Sequence, residues 1–193
     1  MARDEEALVS EAVVAGFSTF RDVVEAHKKQ VYYLALDLTG NHHDAEDLSQ
    51  EVFIKAYQSM KDFRGDAKLS SWLHRITVNA FLDSKRKRSL RLLPFPESRE
   101  RPAELPFRDE RPDASPDRRL ETAMIQRHID EALEKLTPRE RAVFVLRHYN
   151  DLILRDVGQM LNISEGTVKT LLFRALRRLQ KELRSYRPEE RGQ

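Results

Sequence analysis

Asp47 and Glu51 stand four residues apart, so on a helix their carboxylates share one face a single turn apart. Such a like-charge pair costs an isolated helix about 0.2–0.5 kcal/mol, and an external basic surface is one thing that would compensate it. Gln50 lies beside them, away from the apolar stripe of the same segment. His43, Asp47 and Glu51 fall on that face too, and with His42 and Asp44 they raise the idea of a metal site. No second segment offers the further ligands a closed site needs, and no glycine-rich phosphate loop is present, so an enzyme is the weaker reading and no cofactor is expected. A second concentration of charge lies near the C-terminus, where Lys169, Arg174, Arg177, Arg178, Lys181, Arg184 and Arg187 face a single acid, Glu182, between residues 166 and 187. A basic helix of that kind suits phosphates and base edges, although a plain helical hairpin with a solvated basic face has the same composition.

The elements that must carry these groups are all helical. Glycine is scarce at 6 of 193 residues, strand-like alternation is absent, and apolar residues recur at three- and four-residue intervals. One amphipathic segment runs from about Phe17 to Leu38 and stops at Gly40-Asn41, punctuation suited to positive φ. A second, near Asp44 to Phe63, turns Ala45, Leu48, Val52, Ala56, Met60 and Phe63 to one face and places Asp44, Glu46 and Asp47 in its first turn, where the helix dipole favours acids. A third covers about Ser70 to Arg88, with Leu73, Ile76 and Ala80 inward and Lys85-Arg86-Lys87-Arg88 at its end.

Six of the eight prolines lie between Pro94 and Pro116, among charges of both signs, which reads as a linker. Further helices are predicted at about Arg119 to Lys135, Pro138 to Tyr149, Arg155 to Leu161 and Glu165 to Arg184, with Thr137-Pro138 as an N-cap followed by proline in the first turn. The fold class is therefore all-α, two small helical domains joined by a Pro-rich linker, with boundaries expected at 1–90, 91–118 and 119–193.

Within the second block, Arg155 to Leu172 has the pattern of a helix-turn-helix. Val157 and Leu161 share a face, Ile163 fills the turn, and Val168 and Leu171 face back from the second helix. Gly158 stands where the helices must cross closely, and Asn162 where the turn needs a left-handed residue. Glu165, Lys169, Thr170, Phe173 and Arg174 are left facing outward.

Composition bounds the rest. Charged residues make up 34% and the hydrophobic set 40%, no apolar run approaches the length of a membrane span, and the N-terminus lacks the apolar stretch of a signal peptide, so a cytoplasmic protein without membrane insertion is expected. The absence of cysteine excludes disulfides, thiolate metal sites and thiol redox sensing.

The stretch Gly40-Asn41-His42-His43-Asp44-Ala45-Glu46-Asp47-Leu48-Ser49-Gln50-Glu51-Val52-Phe53-Ile54-Lys55-Ala56-Tyr57 resembles region 2.2 of the extracytoplasmic-function sigma factors of RNA polymerase. Phe63-Arg64-Gly65-Asp66 followed by Ser71-Trp72-Leu73-His74-Arg75-Ile76-Thr77-Val78-Asn79 resembles their regions 2.3 and 2.4. Ala132 to Arg141 and Glu165-Gly166-Thr167-Val168-Lys169-Thr170 with Arg174-Ala175 resemble region 4.

The resemblance implies a sigma factor that docks on core RNA polymerase through Asp47, Gln50 and Glu51 and reads two promoter elements. For the minus-10 element it implies Phe63, Arg64, Gly65, Asp66, Ala67 and Lys68, with a loop that captures a flipped base, Asn79 lining its pocket, and Arg75, Arg86 and Lys87 on phosphates. Asn79 as a helix cap is the alternative, and Trp72 and Phe63 read either as core or as base-stacking platforms. For the minus-35 duplex it implies Glu165, Lys169, Thr170, Phe173, Arg174, Arg177 and Arg178. An anti-sigma factor is a further possible partner. Two local departures from the family, Ile153 in place of a capping serine and Asp156-Val157-Gly158, bear on the stability of the first helix of the helix-turn-helix. The rival is a helix-turn-helix regulator that is not a polymerase subunit, which would have no use for the motifs of the first block.

Overall fold

The computed structural model describes residues 17, 19–63, 68–91 and 116–184, and the chain divides into two compact units, Met1–Pro94 and Phe95–Gln193. Among the described residues all regular structure is helical.

In the first unit, α1 spans Phe20–Thr39, α2 His42–Ser59 and α3 Leu69–Arg91. Thr19 starts α1 through a reciprocal capping box, its Oγ1 accepting from Asp22 N at 3.3 Å while Asp22 Oδ2 accepts from Thr19 N at 2.8 Å. Gly40, at φ 82°, ends α1 with its N–H on Leu36 O. Asn41 is not part of that stop: it is the N-cap of α2, its Oδ1 accepting from Asp44 N at 2.7 Å. The helix thus begins at His42 and only Asp44 is in its first turn, so Glu46 and Asp47 lie one turn later than the sequence suggests. At its far end α2 tightens into a 3-10 turn over Met60–Asp62, and Phe63 follows in extended conformation.

Three stripes close the core of this unit. Val23, Val31, Leu34, Ala35 and Leu38 of α1 meet Ala45, Leu48, Val52 and Ala56 of α2 and Leu73, Val78, Ala80 and Phe81 of α3, with Met60 and Phe63 below them in the chain also buried. The inward face read from α2 is therefore the observed one, while Ile76 of α3 is only half-buried. Buried hydroxyls on all three helices satisfy themselves one turn back: Thr39 on Ala35 O, Ser49 on Ala45 O and Thr77 on Leu73 O.

In the second unit, α4 spans Pro116–Glu134, α5 Pro138–His148, α6 Leu154–Leu161 and α7 Glu165–Glu182. Residues 92–115, with most of the proline-rich stretch, lie outside the described residues; Arg91 still belongs to α3, and Pro116 already opens α4. Thr137 caps α5 in a second capping box, with Glu140 as the reciprocal acid. Ala132, Leu133 and Leu136 pack with Ala175 and Leu179 of α7, flanked by Ile129, Phe144 and Leu183. No helix among the described residues is long and apolar enough to cross a membrane.

Among the described residues, the buried Nε2 of His74 on α3 has no hydrogen-bond partner. Burial first, and neighbouring His27 of α1 second, push this imidazole below its usual 6.5. A depressed histidine makes the folded state take up a proton less readily than the unfolded chain. Stability is therefore full above the unfolded value and is lost as the pH falls below it, toward the folded one. Urea melts of the full chain should show the first unit becoming less stable as the pH falls from about 7 to about 5. In His74→Phe that pH dependence should flatten; an equally steep loss would mean that another group carries it.

Candidate polymerase and nucleic-acid interfaces

The acids of α2 separate into two kinds. Asp44 is drawn into the fold: its Oδ2 accepts from Asn41 Nδ2 at 3.1 Å, and Arg88 at the end of α3 stands 3.5 Å from Oδ1. Burial raises its pKa, but the Asn41 hydrogen bond and the charges of Arg88 and Lys85 outweigh that and hold the carboxyl below its ordinary value. Asp47 and Gln50 instead point to solvent, and Glu51 is partly exposed and paired with Lys55 at 2.8 Å. His43 Nε2 approaches Asp47 Oδ2 only to 3.9 Å. Among the described residues no three histidine or acidic side chains converge on a point that could hold a metal.

Arg75, Asn79 and Arg86 of α3 form a line with Lys68, the residue just before the helix, because positions 68, 75, 79 and 86 fall within about 40° of one another at 100° per residue. All four side chains are exposed. Arg86 shares its charge with Asp83 at 3.1 Å, and Lys87 lies off the line by roughly a quarter-turn. Asn79 sits in the middle of the continuous helix Leu69–Arg91, so it caps nothing and its amide faces outward. Phe63 is buried against the half-buried Trp72, ring centroids 5.2 Å apart. That pair is part of the core edge at the foot of the loop, not a free stacking platform. Arg64, Gly65, Asp66 and Ala67 lie outside the described residues.

The second unit carries the helix-turn-helix. Asn162 adopts the left-handed conformation at φ 53°, and Ile163 N donates to Gly158 O at 2.9 Å, which folds α6 back toward α7. A Cβ on Gly158 would come within 2.8 Å of Ile163 O and 3.6 Å of both Glu165 N and Val168 Cγ2. Val157 and Val168 are fully buried at this crossing, with Leu161, Ile163 and Leu171 half-buried around them. Ile153 is the N-cap of α6 and makes no side-chain bond, so the helix starts on backbone bonds alone, from Asp156 N and Val157 N to Ile153 O.

Ser164 caps α7 by accepting from Thr167 N. On the exposed side, Glu165 pairs with Lys169 at 2.8 Å, Thr170 Oγ1 donates back to Gly166 O, and Arg177 lies over the 60%-exposed ring of Phe173 at 5.6 Å from its centroid. Arg174 projects to solvent beside them. Arg178 does not join this group: its Nη1 donates to Lys135 O at 3.3 Å, and its Nε lies 3.4 Å from Oε2 of the buried Glu140. The S/T-x-x-E spacing of Thr137 and Glu140 is the sequence signal for that acid, and it is a capping-box signature.

Comparison with known proteins gives this geometry a family. Residues 23–91 match the Sigma-70 region 2 family and residues 132–181 match Sigma-70, region 4. The ECF RNA polymerase sigma factor SigW of Bacillus subtilis is 33% identical over 166 residues, covering 86% of this chain and 89% of its own length.

The chain belongs to the ECF RNA polymerase sigma factors.

SigE of Mycolicibacterium smegmatis, another ECF sigma factor, is 34% identical over 91% of this chain, which spans 65% of that relative's length. Among solved structures, the sigma factor RpoE of Bartonella quintana, in complex with the anti-sigma factor NepR, superposes with a TM-score of 0.64 at 26% identity, over 87% of this chain and 98% of that one. Region 2 of this sigma factor is α1 to α3, from Val23 onward, and region 4 runs from the end of α4 through α7. Membership disfavours the reading as a helix-turn-helix regulator outside the polymerase, and sigma factors as a family are initiation factors, not enzymes.

The close crossing at Gly158 yields a test of the helix-turn-helix. Gly158→Ala gains about 1 kcal/mol of helix propensity but drives a methyl into a backbone carbonyl, an overpacking cost of about 1–3 kcal/mol. Thermal unfolding of the full chain should show region 4 destabilised by about 1 kcal/mol net. A stabilised variant would mean that the crossing opens without cost.

Proposed function

We propose that this sigma factor binds core RNA polymerase through the exposed α2 face bearing Asp47, Gln50 and Glu51, and reads promoters through two separate surfaces. The observation that carries this is the division of exposed polar groups: an acidic face on region 2 that its own fold leaves largely open, and a basic recognition helix on region 4. The line Lys68, Arg75, Asn79 and Arg86 supports a minus-10 surface that tracks a single strand, with Phe63, Arg64, Gly65, Asp66 and Ala67 at the loop and Lys87 to one side. Asn79 offers a donor and an acceptor to a flipped base; the arginines and lysines hold phosphates. Glu165, Lys169, Thr170, Phe173, Arg174 and Arg177 form the minus-35 surface in the major groove.

The domain limits we favour, kept to whole helices, are 1–91 for the polymerase and minus-10 module and 116–193 for the minus-35 module. The work is done in the cytoplasm, with no active site, cofactor or metal of the chain's own. An anti-sigma factor is a further partner, supported by the likeness to RpoE solved with NepR.

Asp47→Lys combined with Glu51→Lys reverses charge off the core, so the chain should keep its helicity and lose association with core polymerase in a pull-down. Unchanged affinity would remove the docking face.

The two DNA surfaces should fail in different assays. Arg174→Ala should weaken binding of the holoenzyme to minus-35 duplex by about 1–3 kcal/mol if its fork grips a base, and should leave melting of a pre-opened bubble intact. Asn79→Ala should leave duplex binding intact and reduce permanganate-reactive thymines in the open complex. Melting at the parental level in Asn79→Ala would dismiss the pocket.

A further inference from the structure

Arg178 differs from every other cation on α7 in where its donors go. It lies one residue before buried Leu179 and three after buried Ala175, and hence about 60° from Ala175 around the helix and about 100° from Arg177 on the outer face. From this edge of the buried stripe its Nη1 reaches Lys135 O, a carbonyl just past the end of α4, and its Nε faces the carboxylate of Glu140. The same Oε2 of Glu140 accepts from Thr137 N at 3.0 Å and closes the capping box of α5. One guanidinium thus joins three elements: the exit of α4, the entrance of α5 and the middle of α7. Glu140 is 4% exposed at its side chain, while Arg178, the cation set against it, is 51% exposed, so it is the buried acid that fixes the near end of the pair.

We infer that Arg178 is a positioning residue for promoter reading: clamped by Glu140 and Lys135 O, it fixes the rotation of α7 and makes no contact with DNA phosphate. The inference rests on the minus-35 reading of α7. Apolar packing of Ala175 and Leu179 against Ala132, Leu133 and Leu136 holds the helix against the corner, but smooth apolar contact tolerates small rotations. A planar fork bound at two points does not. Because Lys169 and Phe173, and likewise Thr170 and Arg174, stand only about 40° apart around the helix, a rotation of that size would exchange which member of each pair faces a base.

The test uses full-length chain assembled with core polymerase. The probes are a duplex carrying a minus-35 element selected by the parental holoenzyme and the same duplex with that element scrambled. Glu140→Gln is the decisive variant, because glutamine at this position still closes the capping box while losing the charge that holds Arg178. It removes an acid and no DNA-binding cation. Expected is a fall of about tenfold in the preference for selected over scrambled duplex, the size of one misread base pair, with the salt slope of binding unchanged. Arg178→Ala should lose the same preference, the double variant should be no worse than either single one, and Arg178→Lys should restore only part of it.

A phosphate contact predicts otherwise: Arg178→Ala would weaken both duplexes alike and reduce the salt slope by about 1, while Glu140→Gln would leave preference intact. That result overturns the inference, as does unchanged preference in a folded Glu140→Gln variant even if Arg178→Ala fails to fold. Parental holoenzyme that shows no dependence on α7 for either duplex, with Arg174→Ala also silent, overturns the minus-35 reading and this inference with it.

Discussion

The chain can turn back from α6 into α7 as tightly as it does only where residue 158 has no side chain. Gly158 meets that condition, and the carbonyl of Ile163 occupies the space a methyl would need. Everything outward on α7 follows from this approach. With Val157 and Val168 locked beneath the crossing, the periodicity of the helix leaves Lys169, Thr170, Phe173 and Arg174 facing solvent. Asn162 makes the approach possible by taking the left-handed conformation that reverses the chain between the two helices.

Much of this was legible in the sequence, because it depends on residue types whose constraints are local. Glycine at a crossing, asparagine in a left-handed turn and apolar residues at three- and four-residue spacing announce themselves one position at a time. The inward stripe of α2 and the helix-turn-helix came through for that reason. The part not legible in the sequence depends on where the next helix begins or on residues distant along the chain. Asn41 was read with Gly40 as a stop, yet only the brevity of the α1–α2 connection reveals that it opens the next helix. Arg178 looked like one more basic residue in a basic helix, since its partners lie near position 140, on another element altogether.

The same distinction governs the acids of α2. Asp44 and Asp47 are one turn apart and chemically identical, but Asn41 and Arg88 claim the first and leave the second facing water. Asp44 joins the start of α2 to the end of α3, and the charge it holds there belongs to the architecture. Asp47 contributes little to that architecture, which is the condition under which a surface group can be selected for what it binds. Sequence spacing alone does not separate these roles, because it reports which face a residue occupies along its own helix and not which other helix passes beside it.

Each unit of the chain closes a hydrophobic core of its own, and the covalent connection between them converts the second of any two binding events into an intramolecular one. A tethered site responds to effective concentration, so neither unit needs to hold its target tightly when acting alone. Weak individual grips are an advantage to a subunit that must later let go: release of one unit lowers the avidity of the whole, and departure can proceed in two small steps where one large barrier would otherwise stand.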